Sequence, residues 1–359
     1  MTMTLANLTS FFHTEIPRLP NGKYIHFVTL RYSKSFPVFR TDEVLNTVRT
    51  AAGLQDQKPI SRLVMFKRKQ TTPERLVGRE LLRSLGLTSA NKDDKEKYCA
   101  YNGEESCKKC PDCIIYGFAI GDSGSERSKV LSDSAFSITP YEVSHRSFTF
   151  NAPSEQGTMS EGGKMRSSIN EQDHVLPEIT FPAIETLRDP TRESFIYVLG
   201  NLLRTKRYGA QETRTGVMEN HIVGIICADG EIFSNLHFTQ GLYDSLGLTN
   251  GHLPSFSELK ETAEKVMTDL LQKEMVRVSH CLCGEDLAAV LQEVQSIYQD
   301  SELLRQTMTV LYKQTTTYSE KYGAYASKDQ SGGEDGKAGS KGKNPKKNEQ
   351  QQELTLEKE

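Results

Sequence analysis

The sequence predicts an α+β fold, in which strand patterns and helix patterns occupy separate stretches of the chain. Residues 24–32 are rich in aromatic and branched side chains with partial alternation, which is typical of a strand. Two apolar runs on either side of an Asp-Gly pair at residues 221–238 predict a β-hairpin. Apolar side chains then recur at three- and four-residue spacing over residues 259–271 and 287–298, so these stretches predict two amphipathic helices.

Length and composition are those of a globular protein. The 359 residues can bury a large core, and a hydrophobic content of 36% with 25% charged residues is typical of a soluble chain. No apolar run approaches transmembrane length, and residues 1–20 lack the features of a secretory signal. We therefore expect a cytoplasmic protein without a membrane partner. Residues 327–359 are rich in Gly, Lys, Glu, Gln and Ser and predict a disordered tail.

Four cysteines, Cys99, Cys107, Cys110 and Cys113, lie within fifteen residues. In a chain without an export signal, this density favours metal ligands over disulfides. Four thiolates and no histidine predict a structural zinc site, since no coordination position is left for water. An iron–sulfur cluster and unmetallated cysteines are the alternatives. A second pair, Cys281 and Cys283, has no further ligand pair nearby in sequence and is a weaker candidate.

Basic residues are confined to a few segments of a chain whose net charge is −3. The most basic window is residues 58–83, where Thr-Pro-Glu at residues 72–74 predicts a helix start. Arginines at four-residue spacing follow on one side of this helix, and a solvated helix face is the alternative interpretation. Residues 127–129 and 204–216 are also basic and glycine-containing, which suits phosphate contacts. Tyr208 or Phe148 could stack on bases, although core packing is the more frequent fate of Phe.

No specific catalytic motif is present. We find no nucleophile–base pair, no phosphate-binding loop ending in Gly-Lys-Ser/Thr and no His-x-x-x-His motif. Asp42, in the loop after the first strand, is the one carboxylate placed where a nuclease reaction could be organised. An exposed loop acid is the alternative, and a non-enzymatic protein is expected.

A long polar excursion interrupts the chain. Residues 146–150 and 177–182 are two apolar arms, and the stretch between them is rich in glycine and poor in apolar side chains. Such a stretch cannot build a core of its own. Loops of this length inside a compact chain are usually functional or disordered, and we expect a functional protrusion.

Three segments resemble the backbone subunits of CRISPR RNA-guided interference complexes, within the RAMP superfamily. Tyr116-Gly117, followed by Gly124-Ser-Glu-Arg-Ser-Lys-Val-Leu-Ser-Asp-Ser-Ala, is similar to the family's aromatic-Gly, Ser-Arg-Val, Asp-Ala segment. The cysteine insertion before it resembles the zinc-bearing variant, and the resemblance is strongest to the backbone subunit of type I-D complexes. The polar excursion resembles the family's thumb hairpin, and residues 200–216 resemble its late Arg/Gly-rich segment. The helix start Ser-x-Lys-Gly of related subunits reads Ser61-Arg62 here, without the glycine.

The resemblance, which covers residues from about 20 to 310, implies a ferredoxin-like (RRM-type) palm within residues 1–326. It also implies a zinc finger-like insertion at about 86–116, a thumb hairpin at about 145–182 and a helical part at 256–320. The implied function is to bind the backbone of the guide (CRISPR) RNA and to polymerise head-to-tail along it as the filament-forming subunit of an antiviral complex. Target nucleic acid would then be selected by pairing with the guide.

The partners implied are guide RNA, target nucleic acid, copies of the same chain and other subunits of the complex. The residues predicted to contact RNA share a positive charge and lie in the segments named above: Arg62, Lys67, Lys69, Arg75, Arg79, Arg127, Lys129, Arg146, Lys164, Arg166, Arg204, Lys206 and Arg207. Two alternatives are a target-RNA endonuclease that uses Asp42 and a zinc-containing DNA-binding regulator.

Overall fold

The computed structural model describes residues 3–41, 44–88, 99–101, 106–120, 124–150, 160–161, 164–165, 170–209, 214–248 and 254–323. Its strands are β1 (Tyr24–Ser33), β2 (Arg40–Thr41), β3 (Val44–Leu45), β4 (Thr47–Ala51), β5 (Pro59–Met65), β6 (Phe118–Ala119), β7 (Ser125–Glu126), β8 (Val130–Ser132), β9 (Ala135–Phe136), β10 (His145–Phe150), β11 (Ser160–Glu161), β12 (Lys164–Met165), β13 (Asn170–Val175), β14 (Thr180–Arg188), β15 (Met218–Ala228) and β16 (Val278–Leu282). Its α-helices are α1 (Lys67–Ser84), α2 (Tyr141–Ser144), α3 (Arg192–Arg204), α4 (Asn235–Leu246), α5 (Phe256–Leu271), α6 (Gly284–Gln299) and α7 (Ser301–Tyr322), and a π-helical turn spans Asp112–Tyr116.

A five-stranded antiparallel sheet with the order β16–β15–β1–β14–β8 lies at the centre of the fold. The predicted first strand is confirmed as β1, and it pairs with β14 on one side and β15 on the other. Nine of the ten residues of β1 are buried. A strand covered on both faces has no polar side, which explains why its sequence alternates only partially.

Helices cover both faces of this sheet. On one face Phe27 of β1 packs with side chains of α3, α6 and α7, and on the other face Val28 packs with side chains of α4 and α5. Successive residues of a strand point to opposite faces, so the two neighbours belong to different apolar clusters. The predicted helices at residues 259–271 and 287–298 are confirmed as α5 and α6.

Two local predictions were wrong. The hairpin at residues 221–238 has only its first strand, β15, because β16 occupies the neighbouring edge and α4 begins at Asn235. The Asp229 carboxylate accepts hydrogen bonds from the backbone N–H and Nε of Arg277, and so joins the end of β15 to the segment before β16. The helix expected to start at Pro73 begins at Lys67 and contains Pro73.

The polar excursion contains an antiparallel pair, β10 with β13, in the register His145↔Val175 to Phe150↔Asn170. The short strands β11 and β12 also pair with each other. The second arm of the hairpin is therefore β13, whereas the expected arm at residues 177–182 contributes to β14 of the central sheet. The predicted tail, residues 327–359, lies outside the described residues. Among the described helices, none is both long enough and apolar enough to cross a bilayer.

Candidate metal centre and basic surface

The four cysteines predicted to bind metal converge on one point. The Sγ atoms of Cys99, Cys107, Cys110 and Cys113 all lie within 4.8 Å of one another. Cys99 Sγ is 3.5 Å from Cys113 Sγ and 3.9 Å from Cys110 Sγ, and Cys107 Sγ is 4.0 Å from Cys113 Sγ. Thiolates around one tetrahedral zinc ion, with Zn–S bonds of about 2.3 Å, lie roughly 3.8 Å apart. The donor set therefore fits a single metal ion.

Backbone amides support two of these sulfur atoms. The N–H of Cys107 donates to Cys99 Sγ over 3.3 Å, and the N–H of Cys110 donates to Cys107 Sγ over 3.3 Å. Such hydrogen bonds stabilise a thiolate, which is the form that binds metal. Cys99, Cys110 and Cys113 are buried, so solvent has little access to the centre.

Two arginines of α1 hold the cysteine loop through the fully buried Asp112. Arg75 donates from Nε to Oδ1 and from Nη2 to Oδ2 of Asp112, both over 2.9 Å. Arg79 donates to Oδ2 over 2.6 Å and also to the carbonyl of Cys99. Burial by itself lowers the pKa of Arg79, but Asp112 and Cys99 together outweigh burial and the pKa is raised. Arg75 and Arg79 therefore face the cysteine loop and hold it in place.

Helix α7 holds the loop from the other side. Ser319 Oγ donates to the carbonyl of Lys108 over 3.0 Å, and Tyr312 packs against the cysteines. Tyr318 donates to Glu126 over 3.1 Å in the segment that follows the loop. The loop is thus fixed between α7 and α1.

Four of the predicted RNA contacts have internal roles, namely Arg62, Lys129, Arg75 and Arg79. Arg62 is fully buried and donates to the carbonyls of Ser137, Ile138 and Ala52, and burial lowers its pKa to about 10. Lys129 donates from Nζ to the carbonyl of Ile114 and to Glu126. Because their donors are already used inside the protein, these side chains are unavailable to a strand of RNA, and the predicted contact set has to be revised.

A second site, the basic pocket, lies at the N-terminus of α1. It encloses about 570 Å³ and is lined by Lys67, Arg68, Lys69, Phe66, Ser134 and Arg207, among others. It gathers three of the predicted RNA contacts, Lys67, Lys69 and Arg207, with Arg68, which was not among them. The part of the chain that the structure describes shows no ion pair to any of these four cations. Arg207 also donates from Nη1 to the carbonyl of Thr215. Within the described residues, the pocket is therefore a concentration of positive charge without an acidic partner.

Local backbone geometry produces this concentration. The first turn of α1 contains three cations and no acidic residue. The positive end of the helix dipole adds to their charge, and the free backbone N–H groups there are anion donors. Gly209 brings the Arg207 segment against Val38, because its φ is +98° and a Cβ there would lie 2.2 Å from the Val38 carbonyl oxygen. Only glycine permits this approach.

The remaining predicted contacts lie on other elements. Arg127 is exposed between β7 and β8, and Arg146 is exposed on β10, where its guanidinium lies 5.8 Å from the ring centroid of Phe148. Arg204 and Lys206 are exposed at the end of α3. Lys164 lies in β12, whereas Arg166 and Asp42 lie outside the described residues.

Neither predicted stacking residue is free for that role. Tyr208 is fully buried and donates to Glu74 over 2.8 Å, while Phe148 packs against Phe36 with ring centroids 5.1 Å apart. Sequence reasoning missed Phe66, which is 43% exposed at the edge of the basic pocket. The signal available in the sequence was its position, since Phe66 follows the apolar residues Leu63-Val-Met65 and directly precedes three cations.

A buried ion pair connects α1 to the central sheet. Arg31 of β1 donates to Glu74 of α1 over 2.5 Å, and Glu185 of β14 lies 3.6 Å from the same guanidinium. Burial and the nearby Glu74 raise the pKa of Glu185 well above its ordinary value. The pair fixes the position of the helix that lines the basic pocket and holds the cysteine loop.

Comparison with known proteins shows the family of this chain. The chain belongs to the Csc2 Crispr family, whose model matches residues 11–308. The crystal structure of Thermofilum pendens Csc2 is 15% identical to this chain, and the match covers 88% of this chain and 96% of that one with a TM-score of 0.54. The two chains therefore share a fold.

Two chains of larger assemblies are also similar. One is described as a CRISPR RNA-guided surveillance complex, with 14% identity, a TM-score of 0.45 and coverage of 71% of this chain and 86% of that chain. The other is the same kind of complex in a pre-nicking state, with 12% identity, a TM-score of 0.42 and coverage of 71% and 90%. Comparison with curated proteins gave no match.

Proposed function

We propose that this chain is the backbone subunit of a type I-D RNA-guided antiviral complex and that it holds the guide RNA by its ribose-phosphate strand without cutting it. Membership of the Csc2 Crispr family supports this role. The observation that carries it is the basic pocket, where Lys67, Arg68, Lys69 and Arg207 meet without acidic partners among the described residues. An RNA strand carries evenly spaced phosphate groups, whose negative charge would neutralise these cations.

The chemistry of the pocket favours phosphate over base recognition. Lysine and arginine side chains with a helix N-terminus are donors for phosphate oxygens, and such contacts position a strand without reading its sequence. Ser134 adds a hydroxyl group to the lining. In this proposal the guide selects its target by base pairing, and the protein binds only the ribose-phosphate backbone of the guide.

The proposed interface is centred on the pocket and extends along the exposed cations of other elements. We keep Arg127, Arg146, Lys164, Arg166, Arg204 and Lys206 as predicted contacts. We interpret the central sheet with its helices as the ferredoxin-like palm within residues 1–326, and the β10–β13 pair as the base of the thumb hairpin. Copies of the chain would bind head-to-tail in the cytoplasm, together with the other subunits of the complex.

The proposed metal at the four-cysteine centre is structural zinc. Each cysteine of a four-iron cluster binds a different iron atom, which spreads the sulfur atoms, whereas the Sγ distances here match one tetrahedral ion. A bound ion would cross-link the loop. With four protein ligands it would leave no coordination position for a substrate.

Charge reversal in the pocket tests the proposed function. We expect Lys67→Glu combined with Arg207→Glu to weaken binding of single-stranded RNA by about tenfold or more. Each contact with single-stranded nucleic acid contributes about 0.7 to the slope of log affinity against log salt, so two lost contacts lower the slope by about 1.4. The measurement is fluorescence anisotropy over a salt series.

Lys273→Glu is the matched control, because Lys273 is exposed and lies outside the pocket. It should leave affinity and salt slope unchanged. If the pocket variant bound RNA as tightly as the wild type, the proposed function would be wrong. Preference for one duplex DNA sequence over single-stranded RNA would instead support a DNA-binding regulator.

A further inference from the structure

We propose that Phe66 is a stacking face for one base of the RNA at the edge of the basic pocket; this inference rests on the proposed function. Phe66 occupies the N-cap position of α1, where its side chain has no polar group that could cap the helix. Its ring is 43% exposed, although the four residues before it are buried. A partly exposed aromatic ring beside cations lacks the packing that usually explains a phenylalanine.

The surroundings of Phe66 identify the chemistry of its ligand. Phe36 and Phe148 pack against each other, but no ring contact to Phe66 occurs among the described residues. Its neighbours in the pocket are the cations Lys67, Arg68 and Arg207. A ligand that fits both features has anionic groups beside a flat apolar face, and a nucleotide in a single strand has this combination. Every base offers such a face, so the contact needs no sequence preference.

The test uses two RNA oligonucleotides of equal length, one with bases and one with an abasic ribose-phosphate backbone. We expect Phe66→Ala to weaken binding of the first by about tenfold and to leave binding of the second unchanged. Phe66→Tyr, which keeps a stacking face, should bind the first oligonucleotide like the wild type. Leu303→Ala is the control, since Leu303 is a similarly exposed apolar residue on α7.

Equal weakening for both oligonucleotides, or no weakening for either, would overturn the stacking role of Phe66. These outcomes differ from a failure of the proposed function, in which the Lys67→Glu, Arg207→Glu variant would bind both oligonucleotides as tightly as the wild type. The two ideas are thus tested by separate variants with the same probes.

An independent observation concerns the pair Cys281 and Cys283, which the proposed function does not use. We infer that these two cysteines form a reversible thiol–disulfide couple. Cys281 lies on the edge strand β16 and is exposed, and Cys283 caps the N-terminus of α6. The residue between them, Leu282, points into the core, so both thiols lie on the other face with their Sγ atoms 3.7 Å apart.

The surroundings favour thiol exchange over metal binding. The four-cysteine centre is the only group of three or more metal-ligating side chains within the described ranges, so this pair lacks further ligands there. A hydrogen bond from Cys283 lowers the pKa of the Cys281 thiol to about 7, which makes Cys281 the attacking thiolate. The attack on oxidised glutathione forms a mixed disulfide at Cys281 and releases one glutathione thiolate.

The second step forms the disulfide between the two cysteines. Cys283 loses its proton and its thiolate attacks the sulfur of Cys281, which forms the protein disulfide and releases the second glutathione. Two protein thiols are oxidised, and one small disulfide is reduced to two thiols. A reducing dithiol returns the protein to its starting state.

Trypsin isolates this pair from the other cysteines, because residues 278–305 contain no Lys or Arg before Arg305 and follow Arg277. After treatment of the full-length protein with oxidised glutathione and then an alkylating reagent, we expect this peptide unalkylated and lighter by two hydrogen atoms. Cys283→Ser should instead carry a glutathione adduct at Cys281. The inference would be overturned if the wild-type peptide were doubly alkylated or carried glutathione with Cys283 alkylated.

Discussion

At the scale of single residues, the fold depends on a charge cluster in its interior. Arg31, Glu74 and Glu185 are almost completely buried, and they join β1, α1 and β14. Tyr208 donates to Glu74, and Asn220 donates to the Tyr208 hydroxyl over 2.7 Å. Breaking a buried ion pair leaves an uncompensated charge, so this cluster is sensitive to the loss of one member.

We expect Glu74→Gln to lower the free energy of unfolding by about 3 kcal/mol, because the Arg31 guanidinium loses its closest counter-charge in a buried site. The measurement is urea unfolding followed by circular dichroism. Glu80→Gln, on the same helix and exposed, is the matched control and should change stability by less than about 0.5 kcal/mol. Equal effects of the two variants would contradict the role of the pair.

Glu185 makes stability depend on pH. Its folded-state pKa is raised above the unfolded value, chiefly by burial, so the folded state binds a proton that the unfolded state releases. The free energy of unfolding should therefore fall as pH rises above the ordinary carboxyl pKa, by up to about 1.4 kcal/mol per pH unit. In Glu185→Gln, urea unfolding between pH 5 and pH 8 should show a reduced slope. An unchanged slope would show that Glu185 is already ionised in the folded protein.

At the scale of elements, α1 connects three parts of the molecule. Its N-terminal turn lines the basic pocket, Glu74 contacts the sheet, and Arg75 with Arg79 holds the cysteine loop through Asp112. The loop is also held by α7, whereas the pocket is lined by none of the cysteines. Loss of metal should therefore loosen the loop and spare the sheet.

We expect Cys110→Ser, or treatment with a zinc chelator, to increase hydrogen exchange in residues 99–101 and 106–116 while β1 stays protected. The reason is that the loop loses its cross-link but the central sheet keeps its two helix layers. Elemental analysis of fresh protein should find about one zinc per chain, falling in the variant. Cys281→Ser, outside the centre, should retain zinc and wild-type exchange. Fresh protein without zinc would contradict the proposed metal.

At the scale of the whole molecule, a net charge of −3 coexists with a local site of four cations that have no acidic partner among the described residues. A net negative charge disfavours indiscriminate binding of nucleic acid, and confinement of the positive charge restricts a strand to one path. This distribution suits a protein that holds one guide strand.

We therefore expect the protein, expressed together with its guide RNA, to purify with RNA of discrete size. Extraction and gel electrophoresis measure the size, and a wash in high salt should release the RNA because the contacts are mainly to phosphate. The Lys67→Glu, Arg207→Glu variant should purify with less RNA, and Lys273→Glu with the wild-type amount. A smear of RNA without a preferred length would contradict a guide-holding role.

Predictions from the sequence were correct where one short stretch contains all the residues that determine its structure. The spacing of the four cysteines predicts one metal site because the ligands lie within a single loop, and the structure brings their sulfur atoms together. Periodicity predicts α5, α6 and β1 because each element repeats its apolar positions over many residues.

Predictions from the sequence were wrong where the pairing strand or the ion-pair partner lies far away in the chain. The Asp-Gly pair at residues 229–230 has turn chemistry, but whether a strand follows depends on which segment pairs with β15, and that segment is β16. Arginines at four-residue spacing predict one helix face without showing what covers it, and here Asp112 covers Arg75 and Arg79.

The sequence by itself thus determined the elements with strong periodicity, the four-cysteine centre and the confinement of positive charge to a few segments. Only the tertiary structure decided where each cation lies: Arg62 and Lys129 are buried and donate to carbonyl groups, whereas Lys67, Lys69 and Arg207 line one pocket. The physical reason is that burial of a charge depends on long-range packing around it, which local spacing does not contain.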